Sequence, residues 1–280
     1  MTIPSSSFPP FGYLGLALVA ICWPLNWLLP GLRTHWAFFP LWLGYILAVE
    51  GWCAYRQGRS LLTRNPRGFA WLFLLSAPTW WLFELFNARV QYWLYTPVDS
   101  FSAFEYYAYC TLNFSVVLPA VFSTAELFLS FQWLKGRGPH AGKNPATLRL
   151  FFAAGWAMLA LALWRPEYGM AFLWMSLFFI LDPLNYWLGR PSLLRQTARG
   201  DWRLVYALFL GGLACGFFWE MWNMYSSPRW EYRVPYVDFW YVFEMPLAGY
   251  LGYLPFALEL YALNAVVMGR GGLFPGGLDD

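Results

Sequence analysis

Two glutamates, each followed three residues later by an asparagine, stand inside otherwise apolar sequence. They are Glu84 with Asn87 in WWLFELFN, and Glu220 with Asn223 in FFWEMWN. In a helix, positions i and i+3 share a face, so each pair presents a carboxylate beside an amide. A charged group in hydrocarbon costs at least about 2.5–3.5 kcal/mol, so these side chains are expected to turn toward a protein interior. There one carboxyl can act as general acid and the other as base or partner to a cation, with Asn87 and Asn223 orienting them. The plainer alternative is that each Asn hydrogen-bonds its own Glu and knits helices together.

A second acidic set lies nearer the Arg-rich loops: Glu50, Asp182, Glu126 and Glu259. Asp182 and Asn185 repeat the acid–amide spacing, whereas Cys53 stands at the corresponding place after Glu50. Ion pairs to Arg56 and Arg190 are expected to account for Glu50 and Asp182. Glu126 and Glu259, ending long apolar helices, are placed to close the inner mouth of a pathway. Glu244, in FEMPLAGYLGYLP, precedes a proline break and a Gly-x-x-Gly stretch, and joins the catalytic candidates. The rings Trp81, Phe83, Trp219 and Trp222 flank the two principal acids, and Tyr95 and Tyr232 lie in the loops beyond them. These six are the candidate substrate-binding residues. An acid in an aromatic box can protonate a polyene while ring faces stabilise the cation that results.

Phe83-Glu84 and Trp219-Glu220, at the ends of membrane helices, resemble the acid-in-aromatic patterns of integral-membrane isoprenoid cyclases, including lycopene and meroterpenoid cyclases. The resemblance covers those few residues. It implies protonation followed by isomerisation or cyclisation of an isoprenoid.

The elements that must position these residues follow from composition. The chain is 59% hydrophobic and 12% charged, where a soluble domain carries about 25% charge. Apolar stretches recur at lengths that cross a bilayer, which predicts an all-α integral membrane protein. Eight spans are expected, near 11–30, 36–56, 69–90, 101–133, 148–164, 169–189, 203–225 and 237–268. The fourth and eighth exceed one straight crossing, and Pro119, Pro246 and Pro255 are expected to break them. Pro24, Pro78 and Pro183 would free backbone carbonyls to line a cavity. The first apolar run follows no basic region and precedes no A-x-A site, so it reads as a retained helix.

The Glu-x-x-Asn pairs are 136 residues apart, Trp42 and Glu50 answer to Trp174 and Asp182 at 132, and Trp93-x-Tyr95 answers to Trp230-x-Tyr232. A fixed long offset predicts a duplicated four-span unit, 1–133 and 148–270, around a linker at 134–147 and before a flexible tail at 271–280. Thirteen of the 18 Lys and Arg fall on one side of the predicted spans. That side is expected to be cytoplasmic and to hold both termini, in a membrane such as the bacterial inner membrane. With four spans per half, the repeat is parallel, about an axis near the membrane normal. The loop rings of Trp93-x-Tyr95 and Trp230-x-Tyr232 are expected at headgroup level, and Arg229, Glu231, Arg233 and Asp238 as an outer cap.

The four cysteines form no CxxC pair, and both histidines fall in predicted loops. No metal, redox centre or nucleotide site is required, although a divalent cation on the carboxylates stays open. The expected partners are the lipid bilayer and an apolar small molecule, with no nucleic acid; other membrane subunits or a second copy also stay open. Three functions fit: a membrane isomerase or cyclase, a proton- or cation-coupled transporter, and a pigment-, quinone- or lipid-binding subunit.

Overall fold

Helix termini need partners, and in this chain the prolines and small polar residues decide where those termini fall. The computed structural model describes residues 7–29, 34–134, 136–141, 144–233, 236–237 and 239–269. The expectations for Asp238 and the 271–280 tail, and for Arg33, Lys135, Lys143 and Arg270 in the charge count, lie outside the described residues. Among the described residues, eight helical stretches of 19 to 27 residues are apolar enough to cross a membrane. The protein is a polytopic α-helical membrane protein by length and composition.

In chain order the elements are α1 (Pro10–Leu28), α2 (His35–Gln57), a short α3 (Leu61–Arg64), α4 (Pro66–Val90), β1 (Trp93–Thr96), α5 (Ala103–Phe114) and α6 (Val117–Leu129). Then come α7 (Pro145–Trp164), α8 (Pro166–Trp187), a short α9 (Leu193–Ala198), α10 (Arg203–Asn223), β2 (Arg229–Tyr232), β3 (Tyr241–Val242), β4 (Met245–Pro246), a 3-10 turn (Leu247–Gly252) and α11 (Tyr253–Met268). Proline sits in the first turn of α4, α7 and α8, where its missing N–H costs nothing.

The hairpins α1–α2 and α7–α8 close on small residues. A Cβ at Gly15 would lie 2.4 Å from the Ala48 nitrogen, and one at Gly169 would lie 2.3 Å from the Ala162 Cα. Backbones approach this closely in membranes because packing supplies the attraction that water would otherwise provide.

The fourth and eighth spans each come in two pieces. Pro119 and Pro255 are the third residues of α6 and α11, and neither can donate to the carbonyl four positions earlier. Ser76 of α4 bridges the first break: its hydroxyl donates to the Phe114 carbonyl at 2.5 Å and accepts from the Leu118 N–H at 3.0 Å. The predicted eighth span starts too early. Residues 241–246 form the β3–β4 pairing instead, and helix resumes only after it.

The loops gather at two ends. At one, Arg64 pairs with Glu126 at 2.9 Å, Arg56 donates to Ser130, and the backbones of Arg137 and Asp201 form an isolated antiparallel β-bridge. At the other, the Tyr92 hydroxyl donates to the Pro166 carbonyl, and Thr34 and Ser227 exchange hydrogen bonds. Here β1 and β2 form an antiparallel ribbon with Trp93 opposite Tyr232 and Tyr95 opposite Trp230. The core between the ends is built on Trp42, Trp222, Tyr92, Phe83 and Phe122, all essentially fully buried.

Candidate functional site

Beneath the β1–β2 ribbon lies a cavity of about 160 Å³ whose walls are mostly rings. Trp93 and Tyr95 enter from β1, Trp230 and Tyr232 from β2, Trp80 from α4, Trp174 from α8, Trp219 from α10, and Tyr253 and Phe256 from α11. Tyr106, Tyr109, Cys110 and Asn113 of α5 close one side, with His35 and Phe38 of α2. The Trp-x-Tyr rings, expected at headgroup level, line this cavity. A period-two strand sends Trp93 and Tyr95 to one face, and that face is turned inward.

The two principal acids stand just behind this wall. Glu84 Oε1 accepts from the indoles of Trp80 at 2.9 Å and Trp93 at 3.0 Å, and from the Tyr95 hydroxyl at 2.6 Å. Glu220 Oε1 accepts from Tyr232 at 2.8 Å and from Tyr253 at 2.5 Å, while its Oε2 is buried without a partner. Every donor to either acid lines the cavity. Burial, and after it the adjoining Glu84 or Glu220, pushes the Tyr95 and Tyr232 hydroxyls well above their usual range, so both stay protonated donors.

Asn87 and Asn223 do a different job from orienting the carboxylates. Asn87 donates to the Trp93 carbonyl at 2.8 Å and accepts from the N–H groups of Tyr92 and Trp93. Asn223 donates to the Trp230 carbonyl at 2.7 Å and accepts from its N–H at 2.9 Å. Each amide thus fastens one ribbon strand to the helix that carries the acid. Neither bonds its neighbouring Glu, so the i+3 spacing holds the tyrosines in place rather than the carboxyls. That also disposes of the simple Glu–Asn clasp.

The surroundings of the two acids differ, and one difference is written in the sequence. Trp80, one turn before Glu84, corresponds at the 136-residue offset to Gly216, one turn before Glu220. A Cβ on Gly216 would lie 2.4 Å from the Tyr253 ring, so Tyr253 occupies the space a side chain would take. At the same offset Tyr253 corresponds to Val117. One acid receives its bulky donor from its own helix, the other from the last helix.

Among the remaining candidates, Phe83 stacks on Trp174 at 5.4 Å and Trp222 packs on Trp42 at 4.9 Å; both are core, behind the wall. Trp81 donates to Thr111 and packs on Phe114, also outside the lining. Glu244 is tied to Arg229 at 2.9 Å above the cavity, and Arg229 also reaches Glu231. This part of the expected cap is ion-paired.

The inner acids hold structure together. Glu50 accepts from the Leu62 N–H at 2.7 Å and so caps α3. Asp182 accepts from the N–H groups of Leu193 and Leu194 and the Ser192 hydroxyl, capping α9. Neither forms the expected pair with Arg56 or Arg190: Arg56 lies over the Phe131 ring and donates to Ser130, and Arg190 donates to the Val266 carbonyl. A capping carboxylate satisfies orphan N–H groups that an arginine could not. Asn185 donates to the Ala262 carbonyl, and Glu259 Oε1 accepts from the Leu177 N–H of α8. The carbonyls freed by Pro24, Pro78 and Pro183 belong to Ala20, Leu74 and Phe179, none of which lines the cavity.

Trp93, Trp174, Trp230, Tyr253 and the α5 residues are functional candidates that sequence reasoning passed over. The signal for Tyr253 was present, as the glycine at 216 where the other half has tryptophan. Among the described residues, no three His, Cys, Asp or Glu side chains gather as a metal site would require. Compared with family models, curated proteins and solved structures, this helical membrane protein matches none.

Proposed function

We propose that the chain is a membrane-embedded acid–base enzyme that isomerises or cyclises an unsaturated apolar molecule of isoprenoid or lipid type. The observation that carries this reading is the pair of carboxylates, Glu84 and Glu220, each joined to an aromatic cavity through tyrosine hydroxyls that line it. The proposed cycle starts with a proton on Glu220 Oε1, in the hydrogen bond it shares with Tyr253. Tyr253 gives its proton to one carbon of a double bond and takes that of Glu220. The π pair becomes the new C–H bond, and the neighbouring carbon becomes a cation facing the rings. A further double bond that attacks this cation closes a ring. A C–H bond beside the final cation then breaks, its pair forms the product alkene, and the proton leaves through Tyr95 to Glu84. Glu84 is only half-buried; in this cycle it passes its proton to water, and a proton from water returns to Glu220 before the next turnover. Product and substrate are isomers, so neither oxidant nor reductant is consumed.

Cavity size limits what is enclosed. An apolar cavity of about 150 Å³ holds a benzene-sized molecule, so about 160 Å³ takes only the reacting end of a long lipid. The remainder would lie between helices or in the bilayer.

The architecture that supports this reading is duplication. Glu84, Asn87, Pro119 and Trp93 recur as Glu220, Asn223, Pro255 and Trp230, and the ribbon pairs the two Trp-x-Tyr strands as a two-fold axis would. We read residues 1–133 and 148–270 as two parallel four-span units around the 134–147 linker. Pro119 and Pro255 then break the long spans in the same way. The Arg-rich end is taken as cytoplasmic, which places the cavity toward the outer face.

Deuterium incorporation tests the reaction whatever the substrate is. Membranes holding the protein, incubated in D₂O, should yield an isoprenoid or lipid carrying non-exchangeable deuterium. Glu220→Gln should abolish that label and Glu84→Gln should lower it at least about 100-fold, the usual scale of a lost acid or base. Label retained in both variants would remove these acids from the chemistry.

A further inference from the structure

Among the described residues that line the cavity, ring faces predominate, His35 is the one imidazole, and neither Lys nor Arg is present. The arginine of the ribbon above it, Arg229, is spent on Glu231 and Glu244. Two carboxylates, by contrast, lie one hydrogen bond behind the wall, and Glu220 keeps one buried oxygen without any partner. Trp93, Trp219, Trp230, Tyr95, Tyr232 and Tyr253 stand around the space from four different elements. Such a box attracts a cation through the ring quadrupoles, more strongly where water is excluded. Its volume suits a head of trimethylammonium size.

From this geometry we infer that the cavity is a cation cage, and that it binds alkylammonium ions with an apolar tail, the head among the rings, Glu84 as counter-charge and Glu220 as a second one in its deprotonated form. The inference rests on the placement of the site proposed above, but not on its chemistry. Two sources share this ligand chemistry: a carbocation formed during turnover, which an ammonium imitates, and a permanently cationic lipid or amine.

The test compares decyltrimethylammonium with its uncharged carbon isostere, in which a quaternary carbon replaces nitrogen. Binding is measured by calorimetry on the full-length protein in lipid nanodiscs. The charged probe is expected to bind at least about tenfold tighter, a difference of about 1.4 kcal/mol. Glu220→Gln and Tyr232→Phe should each erode that preference, and each should be checked for a wild-type elution profile. Where Glu220→Gln fails to fold, Trp230→Leu supplies the second variant, since it removes a ring face and leaves both acids. Equal affinity for the two probes, or a preference unchanged in every folded variant, overturns the cage. Deuterium labelling separates the two readings. Charge preference without label sinks the enzyme and leaves a site for a permanent cation, whereas label without charge preference sinks the cage alone.

Discussion

At the scale of single residues, the site depends on phenols kept neutral beside carboxylates. Tyr95 and Tyr232 have hydroxyl pKa values raised above the ordinary 10.0 by burial and by Glu84 and Glu220 respectively. Between pH 10 and those raised values the folded protein holds protons that the unfolded chain has lost. Their contribution to stability is therefore complete below pH 10 and falls as pH rises beyond it. Melting temperature in nanodiscs should be flat in this respect up to about pH 9 and drop above 10, and Tyr95→Phe with Tyr232→Phe should flatten the alkaline limb. A limb unchanged in the double variant would assign the loss elsewhere. Gly216 gives a second residue-scale prediction. In Gly216→Ala the new methyl would meet the Tyr253 ring at 2.4 Å and displace it from Glu220. Deuterium labelling should then fall nearly as far as in Tyr253→Phe, while labelling that stays at the wild-type level would show the ring can yield without losing the bond.

Among the elements, the ribbon and the two short inner helices are the parts that composition hid. A sequence pattern shows that Glu84 and Asn87 share a helix face. It does not show that the amide will bond a strand formed later in the chain, because that partner is set by tertiary packing. Likewise, the acids Glu50 and Asp182 were legible as paired features, but their proximity to arginines suggested salt bridges. The stronger clue was Ser60-Leu61-Leu62 against Ser192-Leu193-Leu194, matched at the same 132-residue offset as the acids themselves. Spans, by contrast, are legible because a helix in lipid must carry its own hydrogen bonds over a fixed thickness. The eighth start was misplaced because residues 237–246 are aromatic enough to pass for membrane helix. Asp182→Ala should unseat α9 by removing three acceptor contacts, at a cost on the order of 1–3 kcal/mol for buried groups left unpaired. Glu50→Gln keeps a carbonyl for Leu62 and should cost less than half as much. Thermal unfolding of the two variants compares them, and equal losses would contradict the capping assignment.

For the whole molecule, the question is whether the two halves make one site. Each acid takes its hydrogen bonds from its own half: Glu84 from residues 80 to 95, Glu220 from residues 232 and 253. What joins them is the ribbon, with Leu94 opposite Glu231, and the shared cavity below it. Directly opposed residues in an antiparallel pair have Cα atoms about 4.5–5.5 Å apart, within the range a disulfide spans. Leu94→Cys with Glu231→Cys, in a background lacking the four native cysteines, should therefore cross-link under mild oxidation. After proteolytic cutting of a site engineered into the 134–147 linker, the oxidised protein should still run as one band and the reduced protein as two. Because Leu94 and Glu231 face away from Trp93 and Tyr232 on a period-two strand, the cross-link should leave alkylammonium binding intact. If the ribbon must open for a ligand to enter from the outer face, the same bond will slow association while leaving equilibrium affinity unchanged. Halves that separate after oxidation would mean that β1 and β2 do not meet in the membrane, and the common cavity would go with them.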